Sequence, residues 1–205
     1  MRFGVLEHRA GMKQAIGAFA PELIIFTAYI VAFSMSTYVI LPLQSLIFGP
    51  TLLGSLLFMG HGVRVLSVWL FGLRAIAPLA LAEMLATFLI WQPDIAANGL
   101  ILGSVVGGIS CWVAFELLRL AGHDYFYDSG TTQPSWRVMM LVGAIGSVLN
   151  SFGHILAYRS TVDLGDELAQ LLVFLVGDIL GTLSLFFVLM IIMRKMRDFG
   201  QTGRD

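Results

Sequence analysis

The stretch GPTLLGSLLFMGHGVRVLSVWLFGLR, residues Gly49–Arg74, determines how the rest of the chain is interpreted. It is apolar enough to enter a bilayer, yet the polar run GHGVR lies near its middle, at residues 60–64. Backbone inside lipid must satisfy its own hydrogen bonds, so an interrupted helix is tolerated only against protein or a water-filled cavity. A buried arginine also needs a partner or water. The stretch therefore predicts a membrane protein built around an interrupted segment near residues 60–64.

The composition indicates an integral membrane protein. Of the 205 residues, 58% are apolar and 12% are charged, and the mean hydropathy is +0.86. A soluble domain carries about 25% charged residues, so this chain has too few charges to cover a water-facing surface. One bilayer crossing takes about 20 apolar residues. We therefore predict an all-α, polytopic membrane helix bundle with about six transmembrane helices.

Apolar runs and turn signals divide the chain into six predicted helices. They cover residues 21–40, 44–59, 75–91, 98–120, 136–157 and 168–193. Tight turns are expected at Leu41-Pro42-Leu43 and at Gln92-Pro93-Asp94. Residues 65–72 either extend the second helix beyond the interruption or form a short re-entrant piece.

The ends of the chain and its basic residues predict an orientation. Residues 1–20 are basic and mildly amphipathic, which favours a short interfacial helix on the cytoplasmic face. Residues 21–194 then form a single transmembrane domain, and residues 195–205 form a cytoplasmic basic tail. With six crossings, all of the 12 lysines and arginines except Arg159 fall on one side. Because such residues accumulate in cytoplasmic loops, we expect a multi-pass inner (plasma) membrane protein with both termini in the cytoplasm.

Asp178 lies near the middle of the last apolar run, where an isolated carboxylate costs about 2.5–3.5 kcal/mol. Its predicted partner is Arg64, within the interrupted segment. Two interpretations remain open for this pair. It is either a polar centre that binds a ligand or proton, or a structural ion pair that locks two helices together.

Further polar residues extend this predicted centre. Glu83 has no charged neighbour within one helical turn and must therefore face the bundle, while Asn150 and His154 share one helix face. The complete set predicted as a ligand-binding or buried polar centre is His61, Arg64, Glu83, Asn150 and Asp178. Backbone amides freed at Gly60 and Gly62 would favour an anionic or carbonyl group, with Arg64 adding charge.

No pattern in the sequence indicates catalysis or a cofactor. His61 and His154 are predicted in opposite leaflets, so they could not ligate one haem, and no other metal-ligand spacing is present. A P-loop, a catalytic triad and a dinucleotide fingerprint are all missing from the sequence. We therefore expect no enzyme activity, catalytic residue, metal or cofactor. The basic residues fit interfacial anchors better than a nucleic-acid surface.

Small residues at a spacing of four predict close helix packing. Two such pairs are present, Gly103 with Gly107 and Gly177 with Gly181. The second pair flanks Asp178, which would let a neighbouring helix approach that carboxylate closely. Glu116 and Arg119, three residues apart, are predicted to form a local surface pair.

Two segments resemble the MASE1 family of bacterial membrane sensory domains. The similar residues are Gly49-Pro50, the run GHGVR at 60–64, the run LFGLR at 70–74, Pro78 and the run GDILG at 177–181. The resemblance covers about a third of the chain. It implies a sensory or ligand-binding module of the inner membrane. This chain has about six predicted helices rather than the family's eight or so, and no output domain follows. It would therefore signal through a separate membrane or cytoplasmic protein partner.

Two other function classes remain open. The size, the six predicted helices and Phe48-Gly49-Pro50 also resemble substrate-binding subunits of energy-coupling-factor vitamin transporters, with Ala28 and Ala32 as a docking face. A structural membrane partner would need no ligand at all. In all three classes the lipid bilayer is a partner, and the first two add a small-molecule ligand.

Overall fold

The computed structural model describes residues 2–49, 54–91, 97–129, 135–158 and 167–202. Within these ranges the chain is helical apart from short connections, and no strand occurs. Five helical stretches are long and apolar enough to cross a membrane: Phe19–Phe48, Met59–Ile90, Ala97–Leu120, Trp136–Ala157 and Leu168–Asp198. The predicted all-α architecture is therefore confirmed for the described residues, and the five apolar stretches fit the predicted membrane bundle.

The described residues form seven α-helices, with short π-helical and 3-10 turns between some of them. They are α1 (Arg2–Met35), α2 (Leu41–Phe48), α3 (Met59–Phe71), α4 (Ile76–Ala86), α5 (Ala97–Leu120), α6 (Trp136–Tyr158) and α7 (Glu167–Thr202). The π-helical turns are Ser36–Ile40 and Thr87–Trp91, and the 3-10 turns are Gly72–Ala75 and Tyr127–Ser129. The last three predicted helices agree with α5, α6 and α7, and the predicted helix at 75–91 agrees with α4 and its π-helical turn.

The predicted turn at Leu41-Pro42-Leu43 is wrong, because the chain stays helical from Arg2 to Phe48. A π-helical turn precedes Pro42, and within it the Leu41 N–H donates to the Ser36 carbonyl. Proline then lies in the first turn of α2, where its missing N–H is not required. The helix ends instead at Gly49, whose φ of 80° suits glycine. Helix α1 also continues without a break through residue 20, where the predicted interfacial segment 1–20 was expected to end.

The predicted helix at 44–59 and the interruption predicted at 60–64 are also wrong. Residues 60–64 lie inside α3, and the break comes before them. Residues 54–58 have no helical structure. The open question about residues 65–72 is settled, since residues 65–71 continue α3.

Side chains and one backbone carbonyl of neighbouring helices supply hydrogen bonds to residues 54–59. The Gln44 amide donates to the Gly54 carbonyl (2.9 Å) and accepts from the Leu56 N–H (2.6 Å). The Ser36 hydroxyl accepts from the Met59 N–H at 3.2 Å. The Phe58 N–H donates to the carbonyl of Gly177 on α7 at 2.8 Å. Irregular backbone is stable at this depth because protein groups replace the missing helical bonds.

The chain reverses direction at Gly72, where φ is +53°. The side chains of Arg64 and Glu83 are in contact at 2.7 Å. In a straight helix these two residues, 19 positions apart, would be separated by about 28 Å along the axis, so the chain must turn back between them. At the turn, Arg74 pairs with Glu22 of α1 at 2.6 Å. The apolar stretch Met59–Ile90 therefore consists of two antiparallel helices.

Three of the four glycines predicted to mediate packing lie at close contacts in the structure. A Cβ on Gly177 would overlap the Ser55 carbonyl oxygen, and one on Gly181 would overlap the Phe58 backbone. This pair therefore receives the irregular segment 54–58, whereas a neighbouring helix was expected. Gly107 lies against the carboxylate of Glu83, and Gly103 is buried on the same helix.

Candidate functional site

Polar side chains from five helices meet inside the bundle and form what we call the polar network. Each is at most 5% exposed. Its members are Tyr29 of α1, His61 and Arg64 of α3, Glu83 of α4, Asn150 and His154 of α6, and Asp178 of α7. The irregular segment 54–58 places the start of α3 deep in the bundle, which brings His61 and Arg64 to the level of these residues.

Arg64 forms an ion pair with Glu83, with 2.7 Å between Nη2 and Oε2. Nη2 also donates to the Tyr29 hydroxyl at 2.7 Å. The guanidinium carbon lies 5.3 Å from the centre of the Tyr29 ring and 5.5 Å from that of Phe58. The predicted pairing of Arg64 with Asp178 is therefore wrong. The reversal at Gly72, which lies between the predicted segment 65–72 and the predicted helix at 75–91, brings Glu83 to the arginine instead.

Asp178 lies between His61 and Asn150. Its Oδ2 is 3.3 Å from Nδ1 of His61 and accepts a hydrogen bond from the Asn150 amide at 2.9 Å. The other imidazole nitrogen of His61, Nε2, bonds the Gly143 carbonyl at 2.9 Å. Asp178 is thus held by one imidazole and one amide.

His154 connects the two halves of the network. Its Nδ1 lies 2.9 Å from the backbone carbonyl of Asn150, and its Nε2 lies 3.1 Å from Oε1 of Glu83. The prediction that His61 and His154 occupy opposite leaflets is wrong, since both belong to one network. A full helix over 44–59 would have carried His61 past the middle of the bundle, but residues 54–58 are not helical. In the described part of the chain, no group of three or more His, Cys, Asp or Glu residues is placed to hold a metal ion.

A cavity of about 90 Å³ adjoins the network. Its apolar wall contains Phe33, Leu41, Phe58 and Phe174, and its polar wall contains Arg64, Glu83, Asn150, His154 and Asp178. Four buried atoms of the polar wall form no hydrogen bond among the described residues: Nε and Nη1 of Arg64, Oε2 of Glu83, and Oδ1 of Asn150. Of these, Oε2 of Glu83 is already ion-paired with Arg64. The cavity can therefore offer two donors and one acceptor to a bound molecule.

All five residues predicted for the polar centre lie in this network. Tyr29 was not predicted for that centre, and His154 was predicted only to share a helix face with Asn150. His154 had a usable signal, because it lies four residues after Asn150 on one helix face. Tyr29 also had one, because Ile25, Tyr29, Ala32 and Ser36 form a buried stripe at helical spacing.

Glu116 and Arg119 lie apart from this cavity. They pair with each other at 2.6 Å, as predicted, and the Arg119 side chain is 51% exposed. Exposed pairs of this kind contribute little to stability. Together with Trp69 and Trp112 they line a more polar concavity beneath the short turn at Tyr127–Ser129.

Comparison with known proteins gives no match to this chain among family models, curated proteins or solved structures.

Proposed function

We propose that the chain is a sensory module of the inner membrane, MASE1-like, that binds a small polar molecule in the cavity beside Arg64. In this proposal a separate protein partner reads the bound state. The observation that carries it is the pair of unpartnered guanidinium nitrogens, Nε and Nη1, at the cavity wall. Arg64 itself is 1% exposed.

A purely structural ion pair would account for these contacts less well. Leaving a buried polar group without a partner costs about 1–3 kcal/mol, and more for a charged group. A network that served packing alone would be expected to saturate the donors of its arginine. Here two of them remain on a residue that lines a cavity whose other lining residues include Phe33, Leu41, Phe58 and Phe174. A ligand with a polar head and an apolar body would fit both walls.

The proposed topology has six crossings, with both termini in the cytoplasm. The antiparallel arrangement of α3 and α4 supports a count of six, because it divides the Met59–Ile90 stretch into two passes. The contact between Arg74 and Glu22 places this reversal at the end of the bundle where α1 enters. Arg194 and Arg197 line a groove together with Trp69, which indicates that α7 ends at that same side. Basic residues gathered at one end favour a cytoplasmic location for it.

We expect reporter fusions to give opposite results on the two sides of α7. A reporter joined after Glu167 should be extracytoplasmic, and one joined after Arg204 should be cytoplasmic. Paired alkaline phosphatase and green fluorescent protein fusions would measure this, since each is active on only one side. The same location for both fusion points would contradict the six-pass arrangement.

We expect the protein, purified in detergent, to retain its ligand through Arg64. Native mass spectrometry should detect an added small-molecule mass on the wild type that is missing from Arg64→Gln, because the cavity loses its charged donors. Arg119→Gln is the matched control, as it removes an arginine outside the cavity, and it should keep the added mass. Equal ligand occupancy in Arg64→Gln and the wild type would place the binding site elsewhere.

One observation favours transport as a second candidate. The irregular segment 54–58 leads directly into α3, and the network lies at the start of that helix. Binding sites of many transporters are built at such discontinuous helices near the middle of the membrane. A substrate-binding subunit of a vitamin-type transporter would share this feature. Uptake of the identified ligand by reconstituted vesicles, with and without candidate partner subunits, would separate transport from sensing.

A further inference from the structure

A second concavity, an open groove between α3, α6 and α7, lies apart from the polar network. Its volume is about 690 Å³, against about 90 Å³ for the cavity beside Arg64. No residue of the network lines it. Its walls are mainly apolar and include Leu66 of α3, Met139 of α6 and Leu189 of α7. The groove therefore suits an apolar occupant that is larger than the molecule proposed for the cavity.

The apolar wall of the groove follows one side of α7. Phe186, Leu189 and Met193 recur at intervals of three and four residues, which is the spacing of one helix face. From Phe186 to Arg197 this continuous helix advances by about 16 Å. The hydrocarbon core of a bilayer is about 30 Å thick, so the groove is about as long as one leaflet. This length matches a lipid tail and not a complete crossing.

Two arginines line one end of the groove. Arg194 and Arg197 continue the face of α7 that carries Met190 and Met193. Residues 194–198 contain three basic side chains and one acid, Asp198, which does not line the groove. This end therefore keeps a net positive charge whichever group Asp198 contacts. Because guanidinium groups bind phosphate oxygens through paired hydrogen bonds, the charge favours an anionic phosphate group.

The basic end of the groove lies where the membrane interface is expected. The apolar stretch of α7 that is long enough to cross a membrane ends at Asp198, just after the two arginines. Trp136, the first residue of α6, also lines the groove and is 64% exposed. Tryptophan is enriched at the level of the lipid headgroups. The arginines are therefore at headgroup level, and the apolar wall extends from them into the leaflet.

The side chains of the groove favour a lipid over a helix of another protein. Close contact between membrane helices relies on small residues, and none of the described residues that line the groove is glycine, alanine, serine or threonine. Methionine occurs there three times, and Met190 and Met193 are 57% and 70% exposed. Because methionine side chains adapt to irregular partners, this wall suits a flexible acyl chain.

We propose that the groove is a binding site for one anionic phospholipid. Its phosphate group contacts the guanidinium groups of Arg194 and Arg197, and one of its acyl chains lies along Leu189 and Phe186. Binding is non-covalent. The site is separate from the cavity beside Arg64, and lipid binding there does not depend on a ligand in that cavity.

The test uses the full-length protein in a neutral detergent. Phosphatidylglycerol and phosphatidylcholine with the same oleoyl chains are added at equal concentration, and native mass spectrometry measures how much of each stays bound. One basic residue near a membrane surface contributes about fivefold to the binding of anionic lipid. With two arginines at the groove, the wild type should retain phosphatidylglycerol in preference by about 25-fold.

Two variants and a matched control locate the lipid. Arg194→Gln and Arg197→Gln should each lower the preference by about fivefold, and their combination should abolish it. Lys195→Gln removes a charge from the same turn of α7, but Lys195 does not line the groove, so this variant should keep the wild-type preference. All three side chains are exposed, so the changes leave the core of the bundle intact.

Thermal unfolding separates the lipid from a free anion. Phosphatidylglycerol should raise the melting temperature, whereas inorganic phosphate at the same concentration should not, because it has no chain to fill the groove. Equal retention of the two lipids by the wild type would reject an anionic occupant. A full preference in the double variant, or an equal loss in Lys195→Gln, would reject the groove as the site. Stabilisation by phosphate alone would reject a lipid as the occupant.

Discussion

Replacing Glu83 with glutamine should destabilise the protein by about 3–5 kcal/mol, because it leaves the buried guanidinium of Arg64 without its anion. Arg64 and Glu83 are 1% and 4% exposed, and their charged atoms are 2.7 Å apart. Glutamine keeps the size of the side chain and can still accept a hydrogen bond from Arg64. The loss therefore measures charge and not packing. Chemical or thermal unfolding in a defined detergent would measure it.

A double-mutant cycle separates this pair from the one that the sequence suggested. Arg64→Gln combined with Glu83→Gln should be less destabilising than the sum of the single changes, since residues in contact commonly couple by about 0.5–3 kcal/mol. The same cycle on Arg64 and Asp178 is the control and should give a smaller coupling, because Asp178 contacts His61 and Asn150. Equal coupling in both cycles would contradict the observed pairing.

The difference between these two pairings shows how far the sequence could predict the site. A charged residue in the middle of an apolar run is costly, so Arg64, Glu83 and Asp178 were predictable members of a buried centre. Their partners were not predictable, because ion pairing depends on which helices become neighbours. The reversal at Gly72 brings Glu83 of α4 back to Arg64 of α3. The sequence indicated a boundary there but not which side chains the reversal would bring into contact.

The errors in the fold prediction have a similar origin. Pro42 was expected to end a helix, but the π-helical turn at Ser36–Ile40 rearranges the hydrogen bonds before it and the helix continues to Phe48. The irregular segment 54–58 was missed because its sequence, GSLLF, is mostly apolar and resembles the helices on either side. Its structure depends on Ser36, Gln44 and Gly177, which are distant in sequence. Local propensity does not report such partners.

That segment also explains why polar groups lie in the middle of the bundle. Residues 54–58 occupy part of a crossing without forming helix, so α3 starts inside the bundle and not at its surface. Phe58, the last irregular residue, lies with its ring 5.5 Å from the guanidinium carbon of Arg64. The position of the network therefore depends on how closely the irregular segment approaches α7.

Gly181→Ala should consequently be among the most damaging single changes in the chain. A Cβ at this position would overlap the backbone of Phe58, which cannot move aside as a flexible side chain can. Overpacking a well-packed interior costs about 1–3 kcal/mol and occasionally more. We expect the upper end of that range, together with loss of the proposed ligand, because Phe58 would move away from Arg64. Thermal unfolding and native mass spectrometry would report the two effects.

Gly143→Ala provides the matched control, since it is the same change in a buried helix of the same bundle. There the nearest atom to an added Cβ is Cγ2 of Thr182 at 3.4 Å, an ordinary van der Waals contact. Alanine also favours helix over glycine by about 0.8–1.0 kcal/mol, so this variant should be at least as stable as the wild type and should keep its ligand. If Gly181→Ala behaved like Gly143→Ala, the irregular segment would not be seated against α7. The depth of Arg64 in the bundle would then need another cause.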